Sequence, residues 1–104
     1  MYGRITDNGD VEDWFYTTPI PSPNAHPGVV AYDGRLYLIG GLFNGNPTDK
    51  VFYTTINQAE GTLGPWAPTA SLPKATKNHC FALWQNKIYV AGGGGGGAAT
   101  ADVY

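Results

Sequence analysis

The chain has 104 residues, 42% hydrophobic and only 13% charged, with 15 Gly, 8 Pro, 7 Tyr and 3 Trp and a formal net charge of −2. That balance leaves no electrostatic footprint for nucleic acid, and no basic cluster marks an anionic membrane surface. No run approaches the roughly 18 apolar residues of a membrane-spanning helix, no window carries apolar residues at helical spacing, and the lone Cys80 cannot close an internal disulfide.

Tyr2–Ile5 reads as a short strand, and the Gly-containing turn TDNGDVED leads from it to a second strand at Trp14–Thr17. Pro19, Pro21, Pro23 and Pro27 then enforce a loop, since proline cannot donate to a ladder. Gly28–Tyr32 (GVVAY) has the small and β-branched composition of a strand buried on both faces. Asp33-Gly34 is a two-residue hairpin signal, after which Arg35–Ile39 returns antiparallel and stops at Gly40-Gly41. LFNGNPT reads as a loop, Lys50–Ile56 as the next strand, and Asn57–Gly64 as the turn into a strand at Trp66. The pattern then restarts, with strands at Phe81–Trp84 and Lys87–Ala91 about a Gln85-Asn86 turn. Gly92–Gly97 takes the place of the first copy's loop, and Asp102-Val103-Tyr104 opens a further strand.

The restart is a repeat. Trp14 and Trp66, Pro21 and Pro73, Arg35 and Lys87, Tyr37 and Tyr89, and Gly40-Gly41 and Gly92-Gly93 are all paired at a spacing of 52. Each copy (about 1–52 and 53–104) is then a four-stranded antiparallel meander. A single small sheet cannot bury both of its faces, so such units must stack. Four-stranded repeats near 50 residues, with a Gly-Gly after the second strand, point to a propeller.

HPGVVAYDGRLYLIGG, followed by a strand and Trp66, and NHCFALWQNKIYVAGG, followed by Asp102-Val103-Tyr104, resemble kelch-type β-propeller blades. YTTINQAEGTLGPWAPTASLP further resembles the bacterial kelch-like arrays of cell-surface and secreted proteins, within the galactose-oxidase-like propeller superfamily. The resemblance implies an all-β fold of two 52-residue blades belonging to a larger, six-bladed kelch-like propeller. It also implies an extracellular or cell-surface setting, although MYGRITDNGDVEDW lacks the apolar core of a secretory signal. Because kelch propellers serve both as binding scaffolds and as enzymes, the fold does not fix the activity. Blades of the bacterial type carry an Arg shortly before the His. Here Asn24-Ala25 precede His26 and Lys77-Asn78 precede His79, so no ligand role of that Arg carries over.

Two blades leave open sheet faces and an unpaired edge. Joining the last residues of one copy to the first of another gives DVY-(M)-YGRI, which rebuilds the third strand, so the chain reads as two blade lengths cut within a strand. The missing blades come either from head-to-tail self-association, as a homotrimer of six blades or a tetramer of eight, or from a longer parent chain. An engineered or partial fragment without a native function of its own is the remaining alternative.

In a meander the loops after the second and fourth strands share one end, which gathers residues 18–26, 42–49, 70–79 and 93–101. Longer loops on a rigid scaffold make this the ligand side, for a protein or a glycan. The candidate ligand-binding residues are His26, Phe43, Asn44, Asn46, Lys77, Asn78 and His79. The plainer reading of each His is that it caps a strand or bonds a neighbouring blade. No cofactor or metal is implied, since one His per blade spreads around a ring instead of converging. Trp14, Trp66, Tyr37 and Tyr89 read as inter-blade core, and Gly40, Gly41, Gly92 and Gly93 as structural turn residues. Tyr32 and Trp84 share a strand position that suits either core or channel lining.

No catalytic residues are assigned, and the module reads as non-enzymatic. The alternative is a mutarotase-like or oxidase-like enzyme on the same scaffold. A copper radical oxidase of this superfamily needs a Cys-crosslinked Tyr and two His, and no Tyr/His set here has that spacing, so Cys80 reads as a small buried residue. The glycine run lacks the following helix and acidic residue of a dinucleotide site and reads as a flexible loop. Asp7, Asp10, Glu12 and Asp13 do not fit a calcium loop and read as a solvated turn.

Overall fold

A computed structural model describes residues 1–77, 79–94 and 101–103. Among them the regular structure is all strand, with no helix and hence no helix long and apolar enough to cross a membrane. In chain order the strands are β1 (Tyr2–Ile5), β2 (Val11–Phe15), β3 (Asn24–Ala25), β4 (Gly28–Tyr32), β5 (Arg35–Ile39) and β6 (Leu42–Phe43). They continue as β7 (Asn46–Pro47), β8 (Val51–Thr55), β9 (Ala67–Pro68), β10 (Cys80–Trp84) and β11 (Lys87–Ala91).

The centre is one antiparallel sheet in the order β4-β5-β8-β9. Its first joint is the Asp33-Gly34 turn, where both residues take positive φ (50° and 72°) as the sequence predicts. The pairing Tyr32↔Arg35 to Gly28↔Ile39 follows without a slip, and β8 then covers all of β5 from Arg35↔Thr55 to Ile39↔Val51. This is the expected four-stranded blade.

The flanking strands repeat parts of that blade. β10 and β11 pair from Trp84↔Lys87 to Cys80↔Ala91, as β4 and β5 do 52 residues earlier. The bridge Ala91↔Val103 repeats Ile39↔Val51, and the Gly92 N–H bonds the Asp102 carbonyl (2.8 Å) as the Gly40 N–H bonds that of Lys50 (3.0 Å). At the other end Tyr2↔Phe15 repeats Tyr53↔Ala67. The described residues thus hold a third and fourth strand, then a whole blade, then a first and second strand with the opening of a third.

The core lies where the β10–β11 hairpin meets the blade. Val30, Ile39 and Val51 from the blade pack with Val90 from the hairpin, and Tyr37, Leu72 and Ile88 close around them. Period-2 alternation decides who joins. Val30, Tyr37, Ile39 and Val51 share one face of the sheet, while Phe81, Ile88 and Val90 share the facing side of the hairpin. Gly28 is buried because a Cβ there would stand 2.9 Å from both His79 Nε2 and Phe81 Cδ1, so the hairpin closes onto bare backbone.

Several expectations are corrected. β4 is buried on one face only. Val29 is 45% exposed, because the opposite face, with Leu36 and Leu38, opens into a gap of about 450 Å³ and the strands beyond it, β1 and β2, repeat only the outer half of a blade. Cys80 is exposed for the matching reason, since no further blade covers the outer face of β10–β11 among the described residues. Trp14 (64% exposed) and Tyr89 are exposed too, whereas Trp66 and Tyr37 are half-buried. Tyr32 and Trp84 are both exposed. The second strand is Val11–Phe15 instead of Trp14–Thr17, with a bulge at Gly3/Arg4 that leaves Asp13 at φ 25°. LFNGNPT is not a bare loop, because β6 and β7 pair across Asn44-Gly45, both at positive φ. Gly95–Gly97 and Tyr104 lie outside the described residues.

Candidate functional site

The predicted ligand side is built by backbone bonding. Leaving β9, the chain crosses the end of the blade, and its amides bond what they pass: Thr69 N–H to the Val51 carbonyl (2.9 Å), Leu72 N–H to Asp49 (2.7 Å) and Thr76 N–H to Thr48 (3.1 Å). The Gly41 N–H returns to the Thr76 carbonyl at 2.8 Å, and Lys77 and Gly94 exchange two bonds of 3.0 Å. Thr76 is almost fully buried here, and its hydroxyl donates to the Lys74 carbonyl (3.0 Å).

Asn24 fastens the first copy's loops in the same place. Its Nδ2 donates to the Gly40 carbonyl (2.9 Å), and its Oδ1 accepts from the Leu42 N–H (3.0 Å). The side chain thereby joins β3 to the Gly-Gly turn, where Gly41 sits at φ 96°. A Cβ on Gly41 would strike Asn24 Oδ1 and stand 2.9 Å from the Ala25 carbonyl. Only glycine meets both conditions.

On this platform Asn44 (φ 52°) and Asn46 are exposed at the tip of the β6–β7 hairpin, beside a shallow cleft of about 250 Å³ lined by Pro23, Asn24, Ala25, Leu42, Asn44 and Gly45. Phe43 is half-buried and stacks on Phe52 (5.7 Å between centroids, planes 16° apart), so it supports the hairpin more than it presents itself. His26 is exposed at φ 56°. Lys77 is half-buried in its bridge to Gly94, and Asn78 lies outside the described residues. The structure thus brings His26, Phe43, Asn44, Asn46 and Lys77 to one end.

His79 belongs elsewhere. It packs under β10 against Gly28 and Phe81 (ring centroids 6.1 Å apart), and its ring atoms reach toward Gly40. Burial pushes its imidazole below the usual value, with the Ile39 carbonyl pulling weakly the other way. Neither buried ring nitrogen makes a hydrogen bond of acceptable geometry among the described residues. The two histidines are therefore not equivalent. At a spacing of 52 the counterpart of His26 is Asn78, and that one-residue offset moves His79 from the loop surface into the blade junction.

Charge is divided unevenly. The loop end holds Lys50, Lys74 and Lys77 with Asp49 and Asp102, and Lys74 pairs with Asp102 at 3.0 Å. Of the remaining charges, three cations, Arg4, Arg35 and Lys87, stand against six carboxylates, Asp7, Asp10, Glu12, Asp13, Asp33 and Glu60, so the negative balance lies outside the loop end. Among the described residues no three His, Cys, Asp or Glu side chains converge as metal ligands.

Sequence reasoning missed Asn24, Thr76 and the strand pairing of β6 with β7 across Asn44-Gly45. Asn-Gly is a strong hairpin signal, but two-residue strands carry no periodicity to accompany it.

Comparison with known proteins supports the repeat reading. Residues 23–53 match the family model described as Kelch motif, a span that covers β3 to most of β8. The chain is also similar to the human Kelch-like protein 33, 35% identical over 81 residues that make up 78% of this chain and 14% of the relative. The aligned region is thus a small part of that protein. Neither match bears on the bacterial arrays that the second copy resembles.

Proposed function

The chain is built of kelch repeats, and on that premise we propose that it is a non-enzymatic binding module whose partner, a protein or a carbohydrate, is engaged at the loop end. The observation that carries this reading is the bonded platform itself. The chain that crosses the blade end is fixed by main-chain bonds from Thr69, Leu72, Thr76 and Lys77, and the first copy's loops by Asn24, while Asn44, Asn46 and His26 stand exposed. Ordered backbone beneath exposed polar side chains lowers the ordering cost of binding, and that is where recognition concentrates on a rigid scaffold. The amide side chains offer donors and acceptors together, which suits peptide backbone and sugar hydroxyls alike.

The test is to screen the chain against peptide and glycan panels and then to compare two double variants on the strongest binder. Asn44→Ala with Asn46→Ala should weaken binding at least about tenfold, since each lost polar contact is worth on the order of 1 kcal/mol. Asn57→Ala with Asn86→Ala, at the opposite end, should leave it unchanged. The reverse order would refute the assignment, and the panel that responds separates protein from carbohydrate.

A further inference from the structure

The His79 side chain fills a niche between three glycines. A Cβ at Gly28 on β4 would stand 2.9 Å from its Nε2, one at Gly40 3.2 Å from its Cε1, and one at Gly93 2.9 Å from its Cβ. Bare backbone from the blade and from the turn after β11 thus closes on one imidazole. Phe81 covers the ring from β10, and both ring nitrogens are shut off from solvent with no hydrogen bond among the described residues.

The same niche lies beneath the loop end. The Thr76 carbonyl accepts the Gly41 N–H at 2.8 Å and would stand 2.6 Å from a Cβ at Gly40, which His79 also touches. Three residues after Thr76, past the Lys77–Gly94 bridge, the chain reaches His79 itself. The main chain that ties the crossing 69–77 to the blade and the imidazole that seats the β10–β11 hairpin therefore share one contact region.

We propose that His79 is a proton-operated latch for the loop end: the neutral ring seats the hairpin against Gly28 and Gly40, and the protonated ring leaves that niche and loosens the hold of Thr76 and Lys77 on the blade. A neutral imidazole carries one N–H, an imidazolium two. The Ile39 carbonyl is the acceptor that acts on this ring, and a second N–H finds none among the described residues. A charged donor left dry is costly, and water reaches it only if the hairpin moves off the glycines.

The surrounding charges do not replace that water. The crossing brings Lys74 and Lys77, the chain beside Gly40 brings Asp49 and Lys50, and the Gly92-Gly93 turn brings Asp102, which pairs with Lys74 at 3.0 Å. Cys80 lies on the other face of β10, and Tyr32 at the far end of β4. None of these is among the causes that move the imidazole, which are burial first and then, in the opposite sense, the Ile39 carbonyl. Burial holds the ring below its ordinary 6.5, so the closed form is fully favoured above that value and loses ground as pH falls below it.

The consequence for binding rests on the reading of the loop end as the binding surface, but the test needs no ligand, so the two fail separately. Amide hydrogen exchange, corrected for its intrinsic pH dependence, is read at about pH 7.5 and about pH 5.5. Protection of the Gly41, Thr76 and Lys77 amides should fall several-fold at the lower pH, up to about tenfold, the limit for one proton about one unit below 6.5. The Asn57 and Gly61 amides, bonded within the turn at the other end, should keep theirs. The fall should vanish in His79→Phe and His79→Gln and persist in His26→Asn. An equal fall at both ends, no fall at the loop end, or a fall that survives in either His79 variant overturns the proposal. In the unaltered chain, a His79 ring titration by NMR with its midpoint at or above 6.5 overturns it as well.

Discussion

Replacing Ile39 by alanine tests whether the hairpin β10–β11 and the blade share a core. Ile39 is 2% exposed and meets Val30, Val51 and Val90, so one side chain ties both sheets. The change removes three buried carbons, about 2.4 kcal/mol at about 0.8 kcal/mol per methylene. A cavity contribution adds to this in a tightly packed interior, where such changes cost about 2–5 kcal/mol. Here a gap of about 220 Å³ lined by Tyr37, Ile39, Leu72 and Ile88 already adjoins the site. The extra cavity cost is accordingly small, and the total belongs at the low end, about 2.5–3 kcal/mol. Ile39→Val should cost about 1 kcal/mol. Urea unfolding followed by circular dichroism and by tryptophan fluorescence reads both numbers, because Trp84 reports from the hairpin and Trp66 from the blade. A loss below about 1 kcal/mol for Ile39→Ala, or loss of the Trp84 transition alone with the blade untouched, would refute the shared core.

Other consequences follow from the loop end and the junction. Asn24→Ala removes two half-buried hydrogen bonds and should cost about 2 kcal/mol by urea denaturation, at about 1 kcal/mol each. Gly41→Ala should cost distinctly more than Gly45→Ala. Both take positive φ, but only the first places a methyl against Asn24 and the Ala25 carbonyl, while Gly45 has open space around it; equal losses would show that close approach is not the constraint. Burial lowers the His79 pKa, so the unfolded chain takes up the proton first. Stability should be level above the ordinary imidazole value of 6.5 and fall as pH drops below it, and His79→Phe should flatten that slope in pH-dependent thermal melts.

The parts of this fold legible in sequence were those with two agreeing signals. The ends of β4, β5 and β11 are legible because the Asp33-Gly34 and Gln85-Asn86 turns and the Gly-Gly pairs bracket alternating apolar runs. The start of β2 is not legible because Glu12 and Asp13 disguise a strand that is exposed along its whole length. Burial was harder to read than structure. The sequence of β10 resembles that of a covered strand, which predicts a buried Cys80, yet cover depends on a neighbour that sequence alone does not position, and Cys80 is exposed. At the loop end, the exposed tip at Asn44 and Asn46 followed from loop position, whereas the clamp by Asn24 and the inward turn of His79 required the main-chain path.

The claim on which most depends is that the bonded loop end is the binding surface. Titration of the strongest binder from the peptide and glycan panels into the unaltered chain and into the Asn44→Ala, Asn46→Ala double variant measures it directly. Binding should weaken at least about tenfold in the variant. Equal affinity in the two chains would contradict it.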